Sequence, residues 1–213
     1  MNQVDARTKL LEATEQVLLE DGFAALSIRR VTGLAGMNVN AVNYTFGSKD
    51  ALLRALMLRI LEPAIAERMR RLDDLARTPG YTIDDLVRAF LEPMLRAGPE
   101  QIALFVELGI KPMLEGDQRF EQTREDRAQA GIGQMVSALS PLLPGMPEEA
   151  VAYRVELMLG MSVMHVQNGN RLAGKYGIAT GEHEQYLIDD VVRFFSHALA
   201  APTELRPVGK SEV

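Results

Sequence analysis

Apolar residues recur at helical spacing along almost the whole 213-residue chain, and this constrains its fold more than any other feature. Near the N-terminus, for example, Leu10, Ala13 and Val17 follow one another at steps of three and four residues. Segments of strict apolar–polar alternation, which would indicate strands, are absent. The sequence therefore predicts an all-α fold, with long helices at about 5–21, 48–77, 82–97, 99–114, 117–140, 147–172 and 182–200.

Two short helices joined by a glycine turn follow the first helix and form a candidate helix-turn-helix over about residues 27–46. Ser27 is placed to cap the second helix and Asn38 the third, with Gly36 in the turn between them. The apolar stripes of the two helices are Ile28, Val31 and Ala35, and Val39, Val42 and Phe46. The pattern alone also fits two connector helices of an ordinary helical bundle, so both alternatives stay open.

The face of the third helix opposite its apolar stripe is polar and uncharged. At 100° per residue this face holds Asn38, Asn40, Ala41, Tyr44 and Thr45, with Asn43 at its margin. Amide and phenol groups can read base edges in a major groove, and an alanine methyl group can contact the methyl group of thymine. Ser27 at a helix N-terminus and Lys49 at the start of the fourth helix are placed to bind phosphates on either side.

Charge is distributed unevenly along the chain, whose net charge is −6. Residues 1–60 carry a net charge of +1, and the remainder carries −7. Between Gly22 and Lys49 there are three basic residues and no acidic one. This local asymmetry permits the segment to contact a polyanion, although the chain as a whole is acidic.

The stretch from Ala35 to Leu52, AGMNVNAVNYTFGSKDAL, resembles the signature of the TetR family of transcriptional regulators, and so does LLEATEQVLLEDGF before it. The likeness departs at Asn38, Asn43 and Thr45, where the family usually has Ser, an aromatic residue and His. These substitutions leave polar groups in place. The segment AVNYTFGSK is also similar to regulators that respond to fatty acyl compounds.

This resemblance implies an N-terminal three-helix, helix-turn-helix DNA-binding domain at 4–60 and a helical ligand-binding and dimerisation domain at 61–200, followed by a flexible tail at 201–213. It also implies that the third helix reads bases while Ser27 and Lys49 clamp phosphates. The DNA-contacting residues predicted on these grounds are Ser27, Arg29, Asn38, Val39, Asn40, Ala41, Asn43, Tyr44, Thr45 and Lys49.

The last two helices are apolar on more than one face, which predicts that each packs on its own core and on a partner. A four-helix interface between two subunits fits this pattern, and the family resemblance implies the same. The predicted interface residues are Leu157, Met164, Leu187, Val191, Phe194 and Phe195. The alternative is that both helices are central core helices of a single chain.

The resemblance further implies a small-molecule cavity in the C-terminal region, lined by Phe90, Met94, Phe105 and Met161. Flexible methionine thioethers suit such an apolar cavity, although simple core filling explains them equally well. His165, set in an apolar helix, is a candidate for orienting the ligand, with a structural histidine as the alternative.

The sequence lacks the residues and motifs that several functional classes require. The chain has no cysteine and three histidines, and it carries no nucleophile elbow, phosphate loop or dinucleotide fingerprint. No apolar run reaches 18 residues and no targeting segment is recognisable, so we expect a cytoplasmic protein that does not enter a membrane. We expect no catalytic residue, metal or cofactor.

The predicted function is that of a ligand-responsive regulator, a repressor that binds a palindromic operator on double-stranded DNA as a homodimer. A small apolar effector, of fatty-acyl type if the local likeness holds, is expected to release it. The alternatives are a helical scaffold for protein partners that does not bind DNA and an enzyme built on a helical bundle.

Overall fold

The structure, a computed structural model, describes residues 3–116, 121–178 and 184–205. No strand occurs among these residues, which confirms the predicted all-α class. The predicted starts of two helices at 117 and 182, and the end of the tail after residue 205, lie outside the described residues. The helices are α1 Gln3–Asp21, α2 Ile28–Leu34, α3 Ala41–Phe46, α4 Lys49–Ala76, α5 Ile83–Leu95, α6 Pro99–Phe105, α7 Lys111–Leu114, α8 Glu121–Leu139, α9 Glu148–Lys175 and α10 Glu184–Ala200.

Three short helical segments complete these elements. Two are 3₁₀ turns, at Phe23–Ala25 and Ser140–Leu142. The third is a π-helical segment at Val106–Ile110, which joins α6 to α7 where the sequence predicts a single regular helix. Within the described ranges, none of the helices combines the length and apolar character that crossing a membrane requires.

The chain divides into two compact units. The N-terminal unit holds the residues up to Pro63 together with those from Gly98 to Asp126, and the C-terminal unit holds the rest. This division differs from the predicted boundary, which places all of 61–200 in one domain. The physical reason is burial, because Leu104 and Leu108 lie in the core of the N-terminal unit.

The core of the N-terminal unit is built on α1 and the first half of α4. Leu10 and Val17 of α1 are completely buried there, together with Val42 of α3 and Leu56 of α4. Ser27 caps α2 as predicted, with its Oγ accepting a hydrogen bond from the backbone N–H of Arg30 at 3.2 Å. These contacts fix the two short helices against α1.

The helix α3 begins at Ala41, three residues later than predicted. Asn38 does not cap it directly. Its Oδ1 accepts a hydrogen bond from the N–H of Asn40 at 2.9 Å, and residues 38–40 form a turn. Val39 lies in this turn with 49% of its surface exposed, so its predicted place in the inner stripe is wrong. Helical spacing does not apply to a residue outside the helix.

The core of the C-terminal unit is formed by the end of α4 with α5, α8, α9 and α10. Phe90 of α5, Met135 of α8 and Val155 of α9 are fully buried in it. Thr82 begins α5 with a capping box, in which its side chain and that of Asp85 bind each other's backbone N–H groups. The end of α10 is held by Arg154, whose guanidinium donates to the carbonyl of Leu199 at 2.7 Å.

Candidate DNA-contacting surface and C-terminal faces

The outer face of α3 is exposed and uncharged, as the sequence predicts. Tyr44 has 85% of its surface exposed, and Asn40 and Asn43 are exposed beside it. Ala41 and Thr45 are half-buried at the edges of this face, and Val42 on the opposite side is completely buried. The structure therefore gathers amide, phenol and methyl groups on one side of a helix, where they can meet the base edges of a groove.

Residues 38 and 39 extend this surface on the N-terminal side of α3. Asn38 and Val39 are both exposed. Because Val39 is exposed, it can contact a ligand of this surface, although the sequence also places it in the apolar stripe. Its isopropyl group can make an apolar contact with a base or sugar but cannot donate or accept a hydrogen bond.

Lys49 has an additional role that its sequence position does not show. Its Nζ donates a hydrogen bond to the backbone carbonyl of Leu26 at 2.7 Å and lies 5.9 Å from the centre of the Phe23 ring. This bond joins the start of α4 to the residue before the cap of α2. An ammonium group has three donors, so the remaining two are available to a phosphate.

The two arginines at the start of α2 differ in their partners. Arg30 is ion-paired with Asp21 of α1, whereas Arg29 is exposed and has no ion pair within the described part of the chain. Ser27 is exposed immediately before them, with its hydroxyl engaged in the helix cap. Arg29 is therefore better placed than Arg30 to donate to a phosphate.

Sequence reasoning missed a contact between Arg7 of α1 and the end of α3. Its guanidinium carbon lies 4.8 Å from the centre of the Phe46 ring, at the C-terminal end of α3. Phe46 packs against the N-terminal core, so this cation–π contact ties α1 to the inward side of α3. The signal was weak in the sequence because Arg7 is 39 residues away from Phe46.

The predicted interface residues of α9 and α10 fall into two groups. Leu157, Met164 and Phe194 are 46%, 47% and 59% exposed, and Leu187 and Val191 are half-buried. Phe195 is only 6% exposed, because it packs in the core of its own unit. The prediction that Phe195 lies in the interface is therefore wrong, and it is a core residue. Successive helical residues are rotated by 100°, which turns Phe195 inward relative to the exposed Phe194.

The predicted ligand-lining residues are not gathered in one place. Phe90 is fully buried in the core of the C-terminal unit and Met94 is half-buried, whereas Phe105 packs against the core of the N-terminal unit. Phe105 is therefore corrected to a core-packing residue of that unit. Met161 is 51% exposed, beside a shallow depression of about 410 Å³ that it lines with Leu157 and Met164.

His165 lies one residue beyond Met164 on α9 and is half-buried. Burial lowers its pKa from the ordinary histidine value, because the charged imidazolium loses solvation there. A neutral imidazole is thus favoured at neutral pH. Within the described residues, no group of histidine, aspartate and glutamate side chains is arranged to hold a metal ion.

Comparison with known proteins decides the family. Residues 10–56 match the model of the bacterial regulatory proteins of the tetR family. Residues 88–198, more than half of the chain, match the model of the tetracyclin repressor-like C-terminal domain. The chain belongs to the TetR family.

Individual relatives agree with this membership. The chain is 27% identical over 141 residues to the HTH-type transcriptional regulator BetI 2 of Chromohalobacter salexigens. The aligned region covers 63% of this chain and 66% of that protein, so the chain spans just under two thirds of the relative's length. Among solved structures, a TetR-family regulator from Shewanella sp. PV-4 has a TM-score of 0.65 at 17% identity, over 91% of this chain and 97% of that one. The multidrug binding protein EbrR, complexed with imidazole, has a TM-score of 0.61 at 18% identity, over 96% and 98% of the two chains.

The TetR family consists of transcription factors and not of enzymes, so this protein is a DNA-binding transcriptional regulator. The predicted family is confirmed, and of the predicted function the coarse part, a TetR-family transcription regulator, is confirmed. The resemblance read from Ala35 to Leu52 thus identified the right family, since those residues lie mostly within the matched N-terminal segment.

Proposed function

We propose that this TetR-family regulator is a repressor that binds a palindromic operator as a homodimer and is released by a small apolar effector. The observation that carries the DNA-binding part is the exposed, uncharged outer face of α3, held in place by the buried Val42 and the capped start of α2. A regulator of bacterial genes acts beside the chromosome, and we accordingly propose a cytoplasmic location.

The α3 surface supports a division of labour among its residues. Asn40 and Asn43 carry amides that match the donor and acceptor pair of adenine in the major groove, and Tyr44 adds a hydroxyl. Ala41 offers a methyl group for thymine. The other members of the proposed contact set are Ser27, Arg29, Asn38, Val39, Thr45 and Lys49.

The proposed homodimer rests on the exposed apolar side chains of α9 and α10. Leu157, Met161 and Met164 recur at steps of four and three residues, which places them on one side of α9. These three residues and Phe194 of α10 are each 46% to 59% exposed, and we call the four together the apolar face. Several large apolar side chains exposed on one side of a helix are typical of a protein–protein interface, and two-fold symmetry matches a palindromic site.

The proposed effector control uses α4, which supplies buried residues to both cores. Leu56 lies in the core of the N-terminal unit, and Leu72 lies in that of the C-terminal unit. An effector acts only through different affinities for two arrangements of the protein. A coupling of about 1–3 kcal/mol would lower operator affinity about 5- to 150-fold, and the operator would weaken effector binding by the same factor.

Selection of bound sites from random duplex DNA by the full-length protein tests the proposal. We expect a two-fold symmetric consensus whose half-sites are centred about one helical turn, roughly 34–36 Å, apart or a multiple of that distance. The affinity for the selected site should fall steeply with salt, at a log–log slope of about −0.9 for each phosphate contact. An asymmetric consensus would contradict the palindromic operator. So would a mobility shift of the selected site that any unrelated competitor DNA abolishes equally well.

A further inference from the structure

Arg68 on α4 is a buried arginine in the C-terminal unit, with 6% of its surface exposed. Its Nε donates a hydrogen bond to the backbone carbonyl of Phe90 at 2.8 Å, and its guanidinium carbon lies 4.2 Å from the centre of the Phe90 ring. Opposite, a Cβ placed on Gly131 of α8 would lie 3.5 Å from its Cδ and 3.8 Å from its Nη1. The guanidinium is therefore packed between α5 and a residue of α8 that has no side chain.

This cation has no counter-charge within the described residues, where no carboxylate lies within 4.0 Å of it. The carboxylates nearest to it in sequence are engaged elsewhere. Glu67 is ion-paired with Arg70 and Arg71, and Asp74 is ion-paired with Arg70. Asp73, for its part, accepts a hydrogen bond from Gln134.

The two following arginines provide an internal contrast. Arg70 is exposed and is held by two carboxylates, and Arg71 is half-buried between Glu67 and Glu92. Thus Arg70 and Arg71, which lie closer to solvent than Arg68, are paired with carboxylates, while the buried Arg68 is not. Burial of a charge without a partner is costly, and this is the reverse of the arrangement that stability alone favours.

The guanidinium keeps its proton in this environment. Burial lowers the pKa of Arg68 to about 10, which still leaves the group positive at neutral pH. Nε is occupied by the Phe90 carbonyl, and the two terminal nitrogens have no acceptor among the described residues. Those nitrogens form the end of the planar fork that binds a carboxylate with two parallel hydrogen bonds.

We propose that Arg68 binds the anionic head group of the effector, and that the effector is an organic acid with an apolar body. The inference rests on the proposed effector binding by the C-terminal unit and names the chemical class that this binding selects. The apolar body is inferred from the surroundings, because Arg68 packs on the ring of Phe90 and beside Gly131, and both α5 and α8 contribute to the apolar core of this unit. An amine of the same shape would place a second positive charge beside Arg68 and should be rejected.

Thermal shift of the full-length protein without DNA tests the head-group preference. The probes are benzoate, octanoate and dodecanoate below its micellar concentration, each compared with the amide and the primary amine of the same skeleton. At about ten times its Kd, at least one carboxylate should raise Tm by about 3–5 °C, and its amide should bind about 10-fold more weakly or worse. Equal shifts for all three head groups, or no shift from any carboxylate, would overturn the proposal.

Arg68→Met and Arg71→Met form a matched pair of variants on the same helix. Arg68→Met should abolish the preference for the carboxylate, whereas Arg71→Met should retain it. Without any probe, Arg68→Met should keep or raise Tm, because methionine preserves the apolar stem and removes an uncompensated charge. A fall in Tm greater than that of Arg71→Met would show that the chain itself needs the cation, and the proposal would be wrong.

Operator binding separates this inference from the proposed function. Arg68→Met should bind the selected operator as tightly as the unchanged protein does, but the carboxylate should no longer weaken that binding. If the carboxylate stabilises the protein through Arg68 and yet leaves the operator bound, the proposed binding site at Arg68 is supported and the proposed release by the effector is contradicted. If Arg68→Met keeps the carboxylate preference, the site fails whether or not the protein is a repressor.

Discussion

The outer faces of α3 and α9 are both exposed, but they present opposite chemistry. On α3 the exposed groups are amides and a phenol, from Asn40, Asn43 and Tyr44. On α9 they are the apolar side chains of Leu157, Met161 and Met164. A polar face is well solvated when it is free and suits a partner that binds reversibly. Covering an apolar face removes it from water and lowers the free energy, which favours a lasting partner. This contrast agrees with the proposal that α3 binds DNA reversibly and that α9 is covered in a lasting homodimer.

Charge on the apolar face is expected to have the largest effect. The double variant Leu157→Glu, Phe194→Glu should leave the protein monomeric, because two glutamates would have to be desolvated at the proposed interface. Operator affinity should then fall about 100-fold or more, because each monomer would bind one half-site independently and the avidity of the dimer would be lost. Light scattering and mobility shift measure the two effects.

Leu19→Glu is the control for this variant, because Leu19 is 40% exposed on α1 and lies outside the apolar face. It should remain dimeric. If the double variant also remains dimeric and binds the operator normally, the interface between subunits is somewhere else.

A pair of alanine variants on α3 distinguishes its two sides. Tyr44→Ala should leave Tm unchanged and weaken operator binding by about 1–3 kcal/mol, about 5- to 150-fold, because the ring is 85% exposed and is proposed to contact DNA. Val42→Ala should lower stability by about 2 kcal/mol, because the side chain is completely buried in the core. Calorimetry and mobility shift measure both quantities. Loss of Tm in Tyr44→Ala would show that its role is structural.

The phosphate contacts are expected to have smaller effects. Arg29→Gln and Lys49→Gln should each flatten the log–log salt slope of operator binding by about one unit. Only Lys49→Gln should also lower Tm, because it loses the bond from Nζ to the Leu26 carbonyl. Arg30→Gln, whose arginine is already paired with Asp21, should change the slope less than either. Unchanged slopes for Arg29 and Lys49 would remove both from the contact set.

The smallest expected effect is a pH-dependent one on the surface of α4. Hydrogen bonds from Arg70 and Arg71 lower the pKa of Glu67 from about 4.5 to about 2. The ionised carboxylate therefore stabilises the folded state fully above pH 4.5, and this contribution is lost as the pH falls towards 2. Glu67→Gln should lower Tm slightly at pH 7, and the difference from the unchanged protein should vanish near pH 2. A difference that does not depend on pH would contradict the ion pairing.

The parts of the fold that could be predicted from sequence depend on local signals. Ser27 is found at the cap of α2, and Ser48 caps α4 by accepting a hydrogen bond from the N–H of Ala51 at 3.0 Å. Caps and helical spacing act within a few residues, so they are visible in the sequence. The outer face of α3 followed from the same local rules, with Tyr44 exposed and Val42 buried.

The parts that could not be predicted depend on packing between distant residues. Phe105 was assigned to a ligand cavity and packs against the N-terminal unit, and Phe195 was assigned to an interface and lies in a core. Nothing in the spacing of an apolar residue says which of two cores will bury it. The isolated charge of Arg68 was invisible for the same reason, since its absence of a partner is a property of the assembled helices.

The discontinuous N-terminal unit has a consequence for the order in which the protein is made. Leu104 and Leu108 complete a core whose other buried members end at Ile60, and α5 lies between the two segments in the sequence. During synthesis the DNA-binding helices therefore leave the ribosome with part of their core uncovered. They cannot be fully packed until the chain has been translated beyond Leu108, so a nascent regulator is expected to complete its DNA-binding core only after the first segment of the C-terminal unit, Ala64–Ala97, has been made.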